Sequence, residues 1–458
     1  MCLAFWRRSN LAVFLIGLLL IAACAVPVRG RSSVEAIHTA PLSYVLDNGL
    51  RVVIAEDHST SLVGVVLMYG AGSAQQPPGT LGFAHLFEHL QFAGSRHIDA
   101  DTQRVVFDSF GGNENARTLQ DYLELYGIAP SDELPSVLWL YSDRMGFLTQ
   151  GLTEKSLRAA KDVVIAERIE RIENSPRGLA TEMLFRAVFP KPNPYHDLVI
   201  GPAEEVERAS LSDIAKFHAE YFQPSNAILV IAGDVQPASA QALIQKFFAP
   251  LVSKSPAPKY AIPAIPAPDA KVHVLPAETK ARSILVGWQA PPALSDDEAS
   301  LQLATVILGD PASGLLKKSL VVERRLASTA SCSYWTMRAA SMVLCSVQLR
   351  DGVDYSTVVS GVEEVAKGLG AIEVNADDVR RAFVQWHATM LRNQEELVSR
   401  ARAFAVYTLY AGRPDYLGLD VSKHRAVSPA EIKGAAARYL APNGAVFIVT
   451  EPKQAEVR

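Results

Sequence analysis

His85-Leu86-Phe87-Glu88-His89 sets two imidazoles four residues apart with a carboxylate between them. On a helix, residues four apart share a face, so the rings converge on one point and Glu88 stands beside them. Two neutral imidazoles on one face begin a zinc site, and the order H-x-x-E-H inverts the commoner zinc protease motif. The segment has punctuation of its own: Thr80, after Pro77-Pro78-Gly79, is the expected cap, and Gly94 is the expected stop. Phe83, Leu86, Phe87, Leu90 and Phe92 make the helix apolar nearly all round, and a buried Glu88 there needs a partner.

A catalytic zinc needs a third protein ligand and one open position. The best donor lies in the helical run 157–172, opened by Thr153. There Glu167 shares a stripe with Ala160, Val163 and Val164, and its burial without a cation is costly. Glu170 and Glu173 read as solvated helix charges. The residues thus point to His85, His89 and Glu167 as ligands of one zinc ion (Zn2+) per chain, with Glu88 beside it.

Two distant segments must be brought together, and the chain has the length to do it. Its 458 residues exceed what one core usually organises. A net charge of -4 offers no basic field for nucleic acid, which is not an expected partner. Cys2, Cys24, Cys332 and Cys345 include no C-x-x-C pair, so any metal must sit on histidine and carboxylate. Residues 1–32 read as a signal peptide: Arg7 and Arg8 precede an uncharged run from Leu11 to Ala25, short for a spanning helix. Ile21-Ala22-Ala23-Cys24 resembles a bacterial lipobox, which makes Cys24 a candidate lipid anchor. The expected location is exported, periplasmic or attached to the outer membrane as a lipoprotein if the source is bacterial.

From Leu42 to about Pro250 strand-like and helix-like segments alternate. Asp47-Asn48-Gly49 is a tight-turn signature between two strands, with a third over 63–68. Residues 251–270 are proline-rich and read as a linker, dividing a first domain, 40–250, from a second, 271–452. A repeat supports the division. Ser210 and Ser428, about 218 residues apart, each open a capped helix followed by a proline-asparagine turn and an apolar strand. The fold class is therefore α+β, two duplicated domains, each a mixed or antiparallel sheet with helices on one face.

The stretches Gly82-Phe83-Ala84-His85-Leu86-Phe87-Glu88-His89, Gly111-Gly112-Asn113-Glu114-Asn115-Ala116 and Val163-Val164-Ile165-Ala166-Glu167 resemble the pitrilysin family of zinc metallopeptidases. Asn193-Pro194-Tyr195, Ile200-Gly201 and Ala232-Gly233-Asp234 follow in family order, and the resemblance runs over roughly residues 42–450. It implies an endopeptidase for peptides or unfolded protein segments, built as a clamshell of two similar domains. It assigns zinc to His85, His89 and Glu167 and the base to Glu88. Asn115 and Ala116 match an edge strand onto which substrate is laid as an added strand; by local pattern alone, Asn115 after Gly111-Gly112 also suits a turn.

The pattern breaks in the second half. Ser313-Gly314-Leu315 and Leu326-Ala327-Ser328 stand where family members carry an Arg and a Tyr that steady the substrate carbonyl, and Ala160 replaces a second acidic residue. Such donors are worth ~10²-fold or more in rate. Either a zinc-less relative supplies them in a heterodimer, or Arg324 or Arg325 takes the role; a homodimer is the other assembly open to the chain. A non-proteolytic scaffold or partner subunit of a peptidase-like complex is the alternative function. Cys332 and Cys345 lie in expected strands 328–335 and 342–349, joined if the register sets them opposite and reduced core thiols otherwise.

Overall fold

The computed structural model describes residues 40–254, 256, 266–268, 271–371 and 374–453. The expected leader, with Cys24, and much of the 251–270 linker lie outside the described residues. Asp47-Asn48-Gly49 turns β1 (Leu42–Val45) onto β2 (Arg51–Glu56) in antiparallel register. The Asn48 amide donates to the carbonyls of Phe248 and Leu251 at 2.8 and 2.9 Å, tying this turn to the end of the first half. With β3 (Leu62–Tyr69), β4 (Asn113–Thr118), β5 (Leu123–Pro130) and β6 (Ala227–Gly233) they form a mixed sheet in the order β1-β2-β6-β3-β5-β4. Only β2 and β6 run parallel in it.

The second half forms β7 (Val272–Ala277), β8 (Ser283–Ala290), β9 (Ala327–Trp335), β10 (Ser341–Leu349) and β11 (Val446–Pro452), in the order β7-β11-β8-β10-β9. Its single parallel pair, β7 with β11, matches β2 with β6, so five strands repeat place for place and β9 is the counterpart of β4. The repeat signal becomes two capping boxes: Ser210 with Asp213 opens helix Leu211–Tyr221 before β6, and Ser428 with Glu431 opens helix Pro429–Tyr439 before β11.

Each half packs its own helices on one face of its sheet. The other face is covered too, by a helix lent from the opposite half. Helix Pro176–Val188 lays Leu184, Phe185 and Val188, all fully buried, against Leu285, Met342, Leu344, Val446 and Ile448 of the second sheet. Helix Leu397–Ala411 returns the arrangement, setting Val398, Ala401, Phe404 and Ala405 against Val53, Val66, Ile228 and Val230. Three side chains such as Leu184, Phe185 and Val188 contribute roughly 5–9 kcal/mol before entropic cost, so the seam is a core rather than a passing contact. Polar groups fix its alignment. Buried Asp121 of the first half accepts from Tyr195 Oη (2.7 Å), the Arg338 N–H (2.8 Å) and Tyr410 Oη (2.9 Å). Asn193-Pro194-Tyr195 has its purpose here: the Asn193 side chain accepts from the Tyr195 N–H and sets the tyrosine towards the seam.

Cys332 and Cys345 face each other in the β9–β10 register and form a disulfide, so the open choice between joined and reduced thiols closes on the joined form. With the two cysteines 13 positions apart, the bridge is expected to contribute about 2–3 kcal/mol by restricting the unfolded chain. Urea unfolding of the wild type and of the Cys332→Ala/Cys345→Ala double variant measures this. Equal midpoints would show that the tether adds nothing.

Candidate metal centre

The motif helix spans Phe83–Leu90, shorter than its sequence punctuation predicts. Thr80 does not cap it: the hydroxyl donates back to the Pro77 carbonyl, and the helix starts behind Gly82 in the left-handed region, with the Gln76 side chain accepting from the Ala84 N–H. Gly94 lies four residues past the end, so the stop is made earlier. The choice of Gly82 is steric. A Cβ there would come within 2.7 Å of the Ile200 carbonyl, and one on Gly201 within 2.4 Å of the Gly82 nitrogen. The Ile200-Gly201 turn therefore seats the start of the motif helix, and Arg168 holds that turn by donating to the Gly201 carbonyl at 2.7 Å.

Glu167 arrives from helix Glu154–Arg168, capped by Thr153 as expected. Its buried stripe is Leu157, Ala160, Lys161 and Val164, whereas Val163, expected on that stripe, faces solvent. The helix widens into a π turn over Ile169–Glu173, a feature that concentrates at functional sites. Arg168, one residue past Glu167, pairs with nearly buried Glu182 at 3.1 Å and locks this helix to the one lent to the second sheet.

The three sequence-nominated ligands meet. Glu167 Oε2 lies 3.3 Å from His89 Nε2 and 3.8 Å from His85 Nε2, and the donor atoms of the three residues all lie within 4.8 Å of one another. A tetrahedral zinc with bonds near ~2.05 Å spaces its donors about 3.3 Å apart, so the donor set fits that ion in chemistry and nearly in spacing. Burial pushes the His85 pKa down to about 3, with the charges of His89 and Arg171 adding to it, and so keeps the ring in its neutral, metal-binding form. Its Nδ1 is buried with no hydrogen-bond partner among the described residues, and Nε2 is the atom that faces the carboxylate. Arg171 donates to the other Glu167 oxygen at 2.6 Å but is largely exposed, so this pair orients more than it stabilises.

Burial raises the pKa of Glu88 above its ordinary value, and hydrogen bonds from Thr118 partly offset the shift. Thr118 closes β4, the free edge of the first sheet. Asn115 and Ala116 lie in the same strand, not in a turn, and the Asn115 side chain accepts from the Ala116 N–H at 2.8 Å. Arg144, buried in helix Leu134–Gly151, anchors that strand by a bidentate pair to Glu114 at 2.8 and 2.9 Å. His85, Glu88, His89, Asn115, Ala116 and Glu167 all line one cavity of about 520 Å³.

The same cavity holds residues that sequence reasoning missed, among them Arg171, Phe185 and Trp335. Trp335, at the end of β9, comes from the second half, and nothing in a strand-like run nominates its last aromatic for a site formed some 250 residues upstream. Arg324 and Arg325, the expected substitute donors, are elsewhere. Arg324 pairs with Glu364 at 2.7 Å, Arg325 is exposed, and neither lines the cavity. In the second half, helix Glu298–Gly309, which occupies the motif helix's place after β8, carries no histidine and buries Leu301, Leu303, Ala304 and Leu308 instead.

The motif helix is backed by His218, whose ring lies 5.7 Å from Phe87 and whose Nε2–H donates to the Met145 carbonyl at 3.1 Å. Burial pushes its pKa down to about 4. Below about pH 6.5 the unfolded chain takes up a proton that the folded chain refuses, so this contribution is full above pH 6.5 and is lost as pH falls towards 4, about 3 kcal/mol in all. With EDTA present, the wild type is expected to lose about that much more than His218→Gln between pH 7 and pH 4 in urea unfolding. Parallel losses would remove His218 from the account.

The Insulinase (Peptidase family M16) model matches residues 51–201, and the Peptidase M16 inactive domain model matches residues 208–383. The chain is 28% identical to the Zinc protease PqqE of Helicobacter pylori over 378 residues, 80% of this chain and 82% of that protein. The crystal structure of a protease from Helicobacter pylori superimposes with a TM-score of 0.82 at 26% identity, covering 90% of this chain and 99% of that one. Cytochrome b-c1 complex subunit 1 of Mus musculus is 27% identical over 223 residues, 48% of this chain and 45% of that protein. The chain belongs to the pitrilysin-type peptidase family M16, as a two-domain member.

Proposed function

We propose that this chain is a zinc-dependent endopeptidase acting on peptides or unfolded segments, with His85, His89 and Glu167 holding the ion and Glu88 as the base. The observation that carries the proposal is the meeting of two imidazole nitrogens and one carboxylate oxygen beside a half-buried Glu88, at an edge of a sheet. Zinc bound there supplies Lewis acidity, polarising a carbonyl and making water acidic enough to attack it near neutral pH. The Glu88 carboxylate takes the proton from the attacking water and returns it to the leaving amine. Substrate lies along β4 as an added strand. The Asn115 side chain occupies the Ala116 N–H until a peptide carbonyl displaces it, which favours extended shape over any one sequence.

The carbonyl-steadying Arg and Tyr come, in this reading, from a second chain, a relative without the motif, since another copy lacks them too. Arg324, committed to Glu364, supports that source over an internal one. Export to an oxidising compartment is also part of the proposal, with Cys24 as the lipid attachment point, and the Cys332–Cys345 disulfide supports it. The mass of the mature N-terminal peptide tests the anchor.

The decisive experiment measures zinc content and hydrolysis of quenched-fluorescent peptides, alone and with a zinc-less relative, with and without chelator. Chelator-sensitive cleavage supports the proposal, and cleavage that appears only with the relative supports a mixed pair. Zinc bound with no cleavage in any combination supports the second reading, a non-proteolytic subunit of a larger assembly, which the similarity to a b-c1 complex subunit favours.

A further inference from the structure

We infer that Trp335 gives the cavity that holds the metal ligands a pocket for a bulky apolar side chain of the peptide, so that the second half selects what the first half engages. The inference rests on the proposed binding of an extended peptide in this cleft. Besides the ligand triad, Glu88 and the β4 edge, the cavity is lined by Ile172, Phe185, Leu198, Ile200 and Trp335. Trp335 is the one described lining residue of the second half. Trp335 is 37% exposed, and its ring meets fully buried Phe185 with centroids 5.6 Å apart. The indole N–H already donates to Ser333 Oγ at 3.1 Å, so the ring asks for no polar ligand. Both aromatics stand on rigid ground. Phe185 belongs to the helix locked under the second sheet, and β9 is bonded to β10 by the disulfide three residues before Trp335. A half-exposed tryptophan held on a buried phenylalanine beside a peptide-binding edge is a preformed apolar site.

Burying a leucine or phenylalanine side chain there is expected to tighten binding roughly 10–100-fold over glycine. The test uses the full zinc-loaded chain carrying Glu88→Gln, so that binding is read without turnover. A fluorescein-labelled decapeptide, scanned one position at a time with Gly, Asp, Leu and Phe, is titrated by anisotropy. One position should favour Leu and Phe over Gly and Asp by that factor. Trp335→Ala should reduce the preference to below about threefold while the all-Gly peptide binds unchanged, and Trp335→Phe should retain most of it. Trp335→Phe and Trp335→Gln repeat the comparison with a bulkier replacement should the alanine variant fold poorly. No positional preference, a preference that survives both Trp335→Ala and Trp335→Gln, or equal weakening of every peptide would overturn the inference. If the wild type cleaves nothing but the Trp335-dependent preference is found, the proteolytic reading fails and the pocket stands; cleavage without that preference gives the reverse.

Discussion

Replacing Glu88 by glutamine is expected to leave zinc bound and to lower kcat/KM by roughly 10²–10⁴-fold. The substitution keeps the length and the hydrogen-bond geometry of the side chain and removes only its capacity to take a proton. Glu88 sits where burial disfavours its charge, with Thr118 as partial compensation. A neutral amide escapes that penalty, so the variant should be at least as stable as the wild type. A carboxyl whose charged form is disfavoured by burial, in a cavity beside three metal-ligating groups, is a candidate for proton transfer. Three readouts therefore separate a catalytic role from a structural one: zinc per chain unchanged, thermal midpoint unchanged or higher, and rate reduced by orders of magnitude. A variant that cleaves peptides at the wild-type rate would take the base assignment away from Glu88, and one that lost its metal would show that Glu88 shapes the site rather than acting in it.

The motif helix was legible because its message is local. Histidines four apart meet on any helix, and the flanking Phe83, Leu86 and Phe87 say that the helix is buried. Glu167 was legible for a related reason, sharing a stripe with Ala160 and Val164, although Val163 misled because a β-branched apolar residue on a short helix need not face the core. The strands of both sheets could be read from alternation and turn residues, as Asp47-Asn48-Gly49 illustrates. The exchange of helices between halves could not. Leu184, Phe185 and Val188 announce burial, but no periodicity names the sheet that buries them, and only the three-dimensional return of helix Leu397–Ala411 makes the exchange reciprocal. Thr80 was a fair cap by residue type, yet a longer-range acceptor, Gln76, reached the helix end first. Trp335 carried no signal at all. Its importance depends on β9 ending against Phe185, which is a property of the seam and not of the strand.

The second large effect concerns the ligands themselves. His89→Ala is expected to reduce zinc from about one ion per chain to below about 0.1 after dialysis, and to abolish cleavage. Three donors hold a catalytic ion, and two leave it exchangeable. His89 faces Glu167 at 3.3 Å, and its removal opens the side of the site next to the cavity. The apo fold should barely notice. Without metal the cluster is two imidazoles and an acid whose other firm partner among the described residues is exposed Arg171, an arrangement worth little to stability. Zinc that binds only the native state adds RT ln(1 + [Zn]/Kd), which amounts to about 4 kcal/mol at a thousandfold excess over Kd. The wild type should thus melt several degrees lower with EDTA than with zinc, and His89→Ala should melt at the EDTA-treated temperature in both. A His89→Ala protein that still binds one equivalent of zinc and still gains stability from it would place the ion somewhere other than between His85, His89 and Glu167.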